Sequence, residues 1–242
     1  MRVATYNIHG CVGTDGCYDV TRIVRVVEGI NPDIIGLQEV RRNTSSGHDI
    51  VEQLARAFPA HSILFSKTLE DRRGAYGNAL VSRFPIIDYR DLNLEISRSL
   101  FPKHRVSENR RAVIARVSQP DDSECTVVVT HLGLERWARK IQAERLITAI
   151  KDAVDLRTEA AIFLGDFNEW FFADRFLRHV DRQFSKHVVR RTFPSRFPIL
   201  PLDRIWITAR LRRTATWVYR GWPARVASDH LPLCVDVEEV PH

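Results

Sequence analysis

The chain lacks the marks of several large protein classes. No apolar run approaches the roughly 18 residues that a membrane-spanning helix needs, so no transmembrane segment is expected. Cysteine is scarce: four residues in 242, with no C-x-x-C pair, which argues against a disulfide framework or a thiolate metal site. Cys11 and Cys17 are near enough to meet in a loop, while Cys125 and Cys234 lie in apolar strand-like runs; all four are read as reduced thiols of a cytoplasmic protein. No stretch is rich enough in Gly, Pro or Ser to cut the chain, so one domain spanning 1–242, acting as a monomer, is the expectation. The first residues already alternate like a strand, so no signal peptide is expected.

What is present is ordinary in bulk, with 44% hydrophobic and 27% charged residues. The balance of charge is less neutral. A net charge of +6 and a pI near 9.4 favour an anionic partner, whether nucleic acid, an anionic lipid surface or a phosphorylated small molecule, without choosing among them.

Strand-like and helix-like segments interleave. Alternation or short apolar runs predict strands at 3–8, 34–40, 62–66, 77–82, 86–94, 111–117, 126–131, 160–164, 204–207, 215–219 and 233–237. Helical spacing predicts helices at 19–30, stopped by Asn31-Pro32, at 48–58, at 135–154 with Trp137, Ile141, Leu146 and Ile150 as core contacts, and at 170–179. Such a mixture predicts an α/β protein with two packed sheets covered by helices. The polar, basic segment 97–109 is expected to be a mobile surface loop, and 190–201, rich in Arg, Phe and Pro, a loop beside the site.

The informative residues are polar ones placed where apolar strands end. Asn7 closes the first strand, Glu39 the second, and His131 the run Thr126-Val127-Val128-Val129-Thr130. Asp166 and Asn168 follow Ile162-Phe163-Leu164-Gly165, Asp203 precedes Arg204-Ile205-Trp206-Ile207, and Asp229-His230 precedes Leu231-Pro232-Leu233. A rigid sheet holds catalytic groups in loops at its strand ends. Carboxylates with an amide and no thiolate suit a hard cation such as Mg²⁺ or Mn²⁺, and histidines beside them can carry protons near neutral pH. Each residue alone has a plainer explanation as a turn, a cap or a solvated charge; His9 in particular is expected to be structural or solvent-facing.

Taken in order, Thr5-Tyr6-Asn7-Ile8, Leu37-Gln38-Glu39-Val40, Thr130-His131-Leu132, Gly165-Asp166-Phe167-Asn168, Leu202-Asp203-Arg204-Ile205 and Ser228-Asp229-His230-Leu231-Pro232 resemble the motifs of the endonuclease/exonuclease/phosphatase family, nearly end to end. The resemblance implies a four-layer α/β/β/α sandwich, two packed mixed sheets with helices on the outer faces, and hydrolysis of a phosphoester bond with Mg²⁺ or Mn²⁺. It implies metal-side roles for Asn7, Glu39 and Asp229. It also implies that Asp166 and Asn168 orient water and phosphate, that His230 is a catalytic histidine supported by Asp203, and that His131 is a second catalytic histidine. One departure stands out. Where the pancreatic deoxyribonucleases pair the second histidine with a glutamate, the segment Tyr76-Gly77-Asn78-Ala79 offers Asn78, which leaves His131 as general acid or phosphate binder. That segment resembles the sphingomyelinase-like members more than the nucleases.

Asn78 and Arg111 are the candidate substrate-binding residues. Arg110 and Arg111 either face the anionic substrate or blunt a strand edge. Arg190, Arg191 and Arg196, interleaved with Phe193 and Phe197, either grip a nucleic-acid backbone or lipid headgroup or form a plain basic loop. The expected substrate is a nucleic-acid phosphodiester. The alternatives are a phospholipid, sphingolipid or phosphoinositide headgroup and, from a different class, a binding module that has lost its chemistry. Trp170, Phe171 and Phe172 could touch a membrane but are expected in the core.

Overall fold

The structure, a computed structural model, describes residues 1–42, 49–72, 74–96, 109–170 and 175–240. Local rules account for its first helix. The Asp19 carboxylate accepts from the N–H groups of Thr21 and Arg22, helix α1 (Val20–Ile30) turns Ile23, Val26, Val27 and Ile30 inward, and Asn31 ends it in the left-handed region just before Pro32. Asp49 caps α2 (Ile50–Ala57) in the same way and also pairs with Arg42.

One sheet contains β1 (Arg2–Asn7), β2 (Ile34–Arg42), β3 (Ser62–Asp71), β4 (Gly74–Ser82), β11 (Leu211–Val218) and β12 (Leu233–Glu239), in the order β11-β12-β1-β2-β4-β3. The other contains β5 (Ile86–Asn93), β6 (Arg111–Ser118), β7 (Glu124–His131), β8 (Ala160–Asp166), β9 (Lys186–Val189) and β10 (Asp203–Ile207), in the order β5-β6-β7-β8-β10-β9. Each sheet is mixed: a central parallel pair, β1 with β2 and β7 with β8, is flanked by antiparallel neighbours.

Three apolar cores define four layers. In the first, α1 and α2 pack on the outer face of the first sheet through Tyr6, Ile23, Ile35 and Leu54. The second lies between the sheets, where Val3, Ile34, Val127, Val129, Leu164 and Val235 meet. The third joins the second sheet to α3 (Arg136–Ala153) and α4 (Arg175–Asp181) through Leu146, Ile150, Phe163, Leu177 and Trp206. This is the expected α/β/β/α sandwich. Between the sheets Gly36 has no room for a side chain: a Cβ there would collide with Leu164 and Val129.

The elements depart from expectation in four places. On α3 the buried face contains Ala138, Arg139, Gln142, Ala143, Leu146 and Ile147, so Trp137 and Ile141 are only partly covered. The helix is turned this way because Arg139 and Gln142 make internal polar contacts that an apolar count ignores. Of the helix expected over 170–179, Arg175–Asp181 is described as helical, while Trp170 itself lies outside it and is half exposed rather than core. Strand β9 and the short helix α5 (Ala224–Ala227) were not foreseen, since four residues carry too little period to read. The expected mobile segment, Phe171 and Phe172, and the start of the helix expected at His48 lie outside the described residues, apart from Asn109.

Candidate active site

The registers bring the polar strand ends to one level. Asn7 pairs with Gln38 across β1 and β2, His131 with Asp166 across β7 and β8, and Asp203 with Asp166 across β10 and β8. Sheet pairing therefore sets Asn7, Glu39, His131, Asp166 and Asp203 at the same end of the sandwich. The loop before β12 adds Ser228, Asp229 and His230 through the Ser228 hydroxyl, which donates to Asn7 O at 2.7 Å.

Two backbone irregularities aim side chains inward. The β2–β4 register shifts between Leu37 and Val40, and within this bulge Glu39 takes φ 57°. Asn168 takes φ 48° in the turn after β8. Non-glycine residues held in the left-handed region are strained, and such strain concentrates where a side chain must point in a required direction.

Asp166 is the hub. Its Oδ2 accepts from Asn7 Nδ2 at 2.9 Å, while His131 Nε2 and His230 Nε2 each lie 3.7 Å from that same oxygen. Its Oδ1 accepts from the backbone N–H of Asn168 at 2.9 Å. Asn7 Nδ2 also reaches Glu39 Oε1 at 3.0 Å, and Asn7 Oδ1 accepts from His9 N at 3.0 Å. The amide of Asn7 thus holds together one carboxylate from each sheet. Tyr76 donates its hydroxyl to Glu39; burial, then the charge of Glu39, raise the tyrosine's pKa.

The two histidines are set apart by their partners. His230 Nδ1 lies 2.8 Å from Asp203 Oδ2, which also accepts from the Thr192 hydroxyl, and the Phe193 ring packs against the imidazole at 4.9 Å. Burial opposes the charged form of His230, but Asp203, Asp166 and Asp229 together override it and push the pKa up to about 10. His131 Nε2 lies 3.0 Å from Asn168 Nδ2, which also donates to Leu132 O at 2.9 Å. Since Asn168 Nδ2 is the donor, His131 Nε2 is the acceptor and the ring is neutral with its proton on Nδ1. Burial, with help from the charge of Arg110, lowers the pKa of His131 to about 3.

The structure places the remaining candidates less centrally. Asp229 lies at the edge with its carboxylate 4.0 Å from His9 Nδ1, and His9 is partly exposed with Nδ1 2.9 Å from Val12 O. Asn78 does not supply the amide beside His131, which comes from Asn168. It is buried and donates to Arg111 O at 3.1 Å, tying β4 of one sheet to β6 of the other. Arg111 is engaged with Asp91 at 3.5 Å. Arg110 is the neighbour whose charge reaches His131 and Tyr76, and its Nε is buried without a partner. Thr192, Ser228 and Tyr76 are site residues that sequence reasoning passed over. Ser228 and Tyr76 stood inside quoted motifs, whereas Thr192 carried no signal in a loop of unpredictable path.

The donor set fits a hard divalent cation. Glu39, Asp166, Asp203 and Asp229 make no ion pair with any lysine or arginine among the described residues, and oxygen ligands predominate. Asp166, Asp203 and His230 also offer atoms within 4.8 Å of one another. However, His230 Nδ1 and Asp203 Oδ2 already bond each other, so this trio is better matched to proton handling than to ligation.

Comparison with known proteins agrees with this fold. The family model described as "Endonuclease/Exonuclease/phosphatase family" matches residues 4–230. The protein YbhP of Escherichia coli (strain K12) is 27% identical over 98% of this chain and 96% of its own length. Among solved structures, an endonuclease/exonuclease/phosphatase from Bacteroides vulgatus superposes with a TM-score of 0.78 at 20% identity, covering 99% of this chain and 98% of the other. The mannosyl-6-phosphatase Bt3783 of Bacteroides thetaiotaomicron VPI-5482 does so with a TM-score of 0.73 at 19% identity, covering 98% and 99%.

Proposed function

Because the chain belongs to the endonuclease/exonuclease/phosphatase family, whose members hydrolyse phosphoester bonds, we propose that residues 1–242 form one divalent-metal-dependent phosphodiesterase domain acting by water attack. The observation that carries this reading is the single carboxylate oxygen of Asp166 shared by Asn7, His131 and His230. Glu39 and Asp229 hold the cation, Mg²⁺ or Mn²⁺, with Asn7 aligning Glu39 against Asp166. When bound, the cation neutralises the non-bridging oxygens of the phosphate.

The protein's own groups supply the remaining steps. Asp166 accepts the proton of the attacking water at Oδ2, and Asn168, its amide nitrogen already committed, presents Oδ1 to orient that water. His230, held protonated by Asp203, donates a hydrogen bond from Nε2 to the phosphate as charge builds there. As the new bond from water to phosphorus forms, the bond to the leaving oxygen breaks, and that oxygen takes its proton from solvent. Neutral His131 positions the phosphate and transfers no proton. The protein acts as a cytoplasmic monomer in this reading.

The chemistry leaves two substrate classes. Exposed apolar side chains on the loops around the site favour a phospholipid-headgroup diester. A nucleic-acid diester is the second reading, supported by the net charge of +6. The test is incubation with a soluble chromogenic diester, plasmid DNA, RNA and short-chain phospholipid, each with Mg²⁺, with Mn²⁺ and with chelator. Metal-dependent cleavage of a diester is expected, and failure to cleave any diester under all metal conditions would end the proposal.

A further inference from the structure

At the same end of the sandwich as His230 the loop between β9 and β10 and the turn after β11 border a cleft of about 560 Å³ that the catalytic machinery does not use. Three arginines line it, Arg190, Arg191 and Arg220, above an aliphatic floor that includes Val189, Pro198 and Val218. None of these arginines makes an ion pair with a carboxylate among the described residues. The cleft belongs to the catalytic end: Arg191 adjoins Thr192, which hydrogen-bonds Asp203, and Val189 pairs with Arg204 at the start of β10.

The rim of this cleft is apolar. Phe197 is 76% exposed, Trp222 78% and Ile199 49%, and each lies one or two residues from the cleft in sequence. Among the described residues nine large apolar side chains are exposed, and six of them, Tyr18, Leu134, Trp170, Phe197, Ile199 and Trp222, sit on loops at the catalytic end. These loops are joined to one another. Arg196 Nε donates to Thr14 Oγ1 at 3.2 Å and Arg225 Nη1 to Arg196 O at 3.5 Å. On the other side of the site Arg139 pairs with Glu169 at 3.0 Å and donates to Leu134 O.

We propose that the three-arginine cleft binds the phosphate of an anionic phospholipid while Phe197, Ile199 and Trp222 seat the catalytic end on the bilayer. The inference rests on the phosphodiesterase reading only for the purpose of the docking, not for the docking itself. The lining of the cleft selects lipid over nucleic acid: it has no aromatic ring to stack on a base, whereas its aliphatic floor suits glycerol and acyl groups. Of the exposed apolar side chains at this end, Leu134 and Ile199 are aliphatic and gain from entering hydrocarbon, while the aromatic ones suit either partner. Exposed Trp and Phe beside arginine is also the composition that partitions to an anionic membrane interface.

The test is flotation of the full chain with vesicles of phosphatidylcholine alone or mixed with phosphatidylglycerol, in chelator so that nothing is hydrolysed. Binding is expected to the mixed vesicles and not to phosphatidylcholine alone, and to weaken as salt is raised. Arg190→Gln/Arg191→Gln/Arg220→Gln and Phe197→Ser/Trp222→Ser should each weaken it by at least ~10-fold, from the loss of electrostatic and interfacial terms. Both variants change surface groups, and the wild-type dependence on salt and lipid charge stands even if a variant misfolds. Equal binding to both vesicle types, or no vesicle binding together with arginine-dependent binding of single-stranded oligonucleotide, would overturn the proposal. The two failures separate: vesicle binding without hydrolysis of any diester would refute only the phosphodiesterase reading, and metal-dependent hydrolysis without vesicle binding only this one.

Discussion

Asp166 Oδ2 lies equally far from two imidazoles in opposite states, and their difference assigns the proton traffic. His230 has carboxylates on two sides and stays charged, whereas His131 has an amide donor at one nitrogen and Arg110 nearby and stays neutral. In the proposed mechanism Glu39 is the chief cation ligand and His230 the charged donor. Glu39→Ala and His230→Ala should each lower turnover by at least ~100-fold, measured as kcat/KM on a soluble diester. The same two histidines make metal-free stability depend on pH in opposite directions. His230, with a pKa raised to about 10, contributes stability that is complete below about 6.5 and is lost as pH rises through 10. His131, with a pKa lowered to about 3, must remain neutral in the fold, so its contribution is complete above about 6.5 and is lost as pH falls toward 3. Urea midpoints against pH should show His131→Gln flattening the acid limb and His230→Gln the alkaline limb; unchanged limbs would mean the two environments are misassigned.

At the scale of elements, the loops after β7 and β8 are joined by a buried ion pair. Arg139 reaches from α3 to Glu169 at 3.0 Å, with both side chains almost wholly buried, and it also donates to the carbonyls of Gly133 and Leu134. Gln142 accepts from Gly133 N at 2.8 Å. Removing one partner leaves an uncompensated buried charge, so Glu169→Gln or Arg139→Met should each cost about 3–5 kcal/mol in urea unfolding, while the double variant costs less than the sum. These contacts also explain what sequence could reveal of α3. The helix was legible, and Leu146 and Ile150 lie in the core as read, but Trp137 and Ile141 do not, because Arg139 and Gln142 face inward on account of loops distant in sequence. Strand ends were legible where apolar runs stop at Asn7, Glu39, His131 and Asp166. The partner of His131 was not, since choosing between Asn78 and Asn168 requires knowing that Asn78 is already holding Arg111 O.

For the whole molecule, the order of motifs along the chain carried the family and the four layers. The loop surface of the catalytic end had to wait for coordinates, as the half-exposed Trp170 illustrates. The candidate site brings carboxylates from both sheets together with no lysine or arginine ion-paired to them among the described residues, so a bound cation should stabilise the entire fold. At ~100 times its dissociation constant Mg²⁺ or Mn²⁺ should add about 2.7 kcal/mol. Thermal denaturation should show that gain for the wild type and its loss in Glu39→Ala; a cation-independent midpoint in the wild type would contradict the assignment.

Gly36 has a consequence out of proportion to its size. It lies three residues before Glu39, on the face where β2 meets Val129 and Leu164 of the opposing sheet. A methyl group there acts as a shim, prising the halves apart close to where Glu39 and Asp166 share one amide. Gly36→Ala should therefore unfold only about 1–3 kcal/mol more easily, yet lose turnover well beyond what that destabilisation explains. In this architecture the thickness of the hydrocarbon seam sets the reach between ligand and base, and evolution can retune catalysis by trimming or padding a layer that never touches substrate.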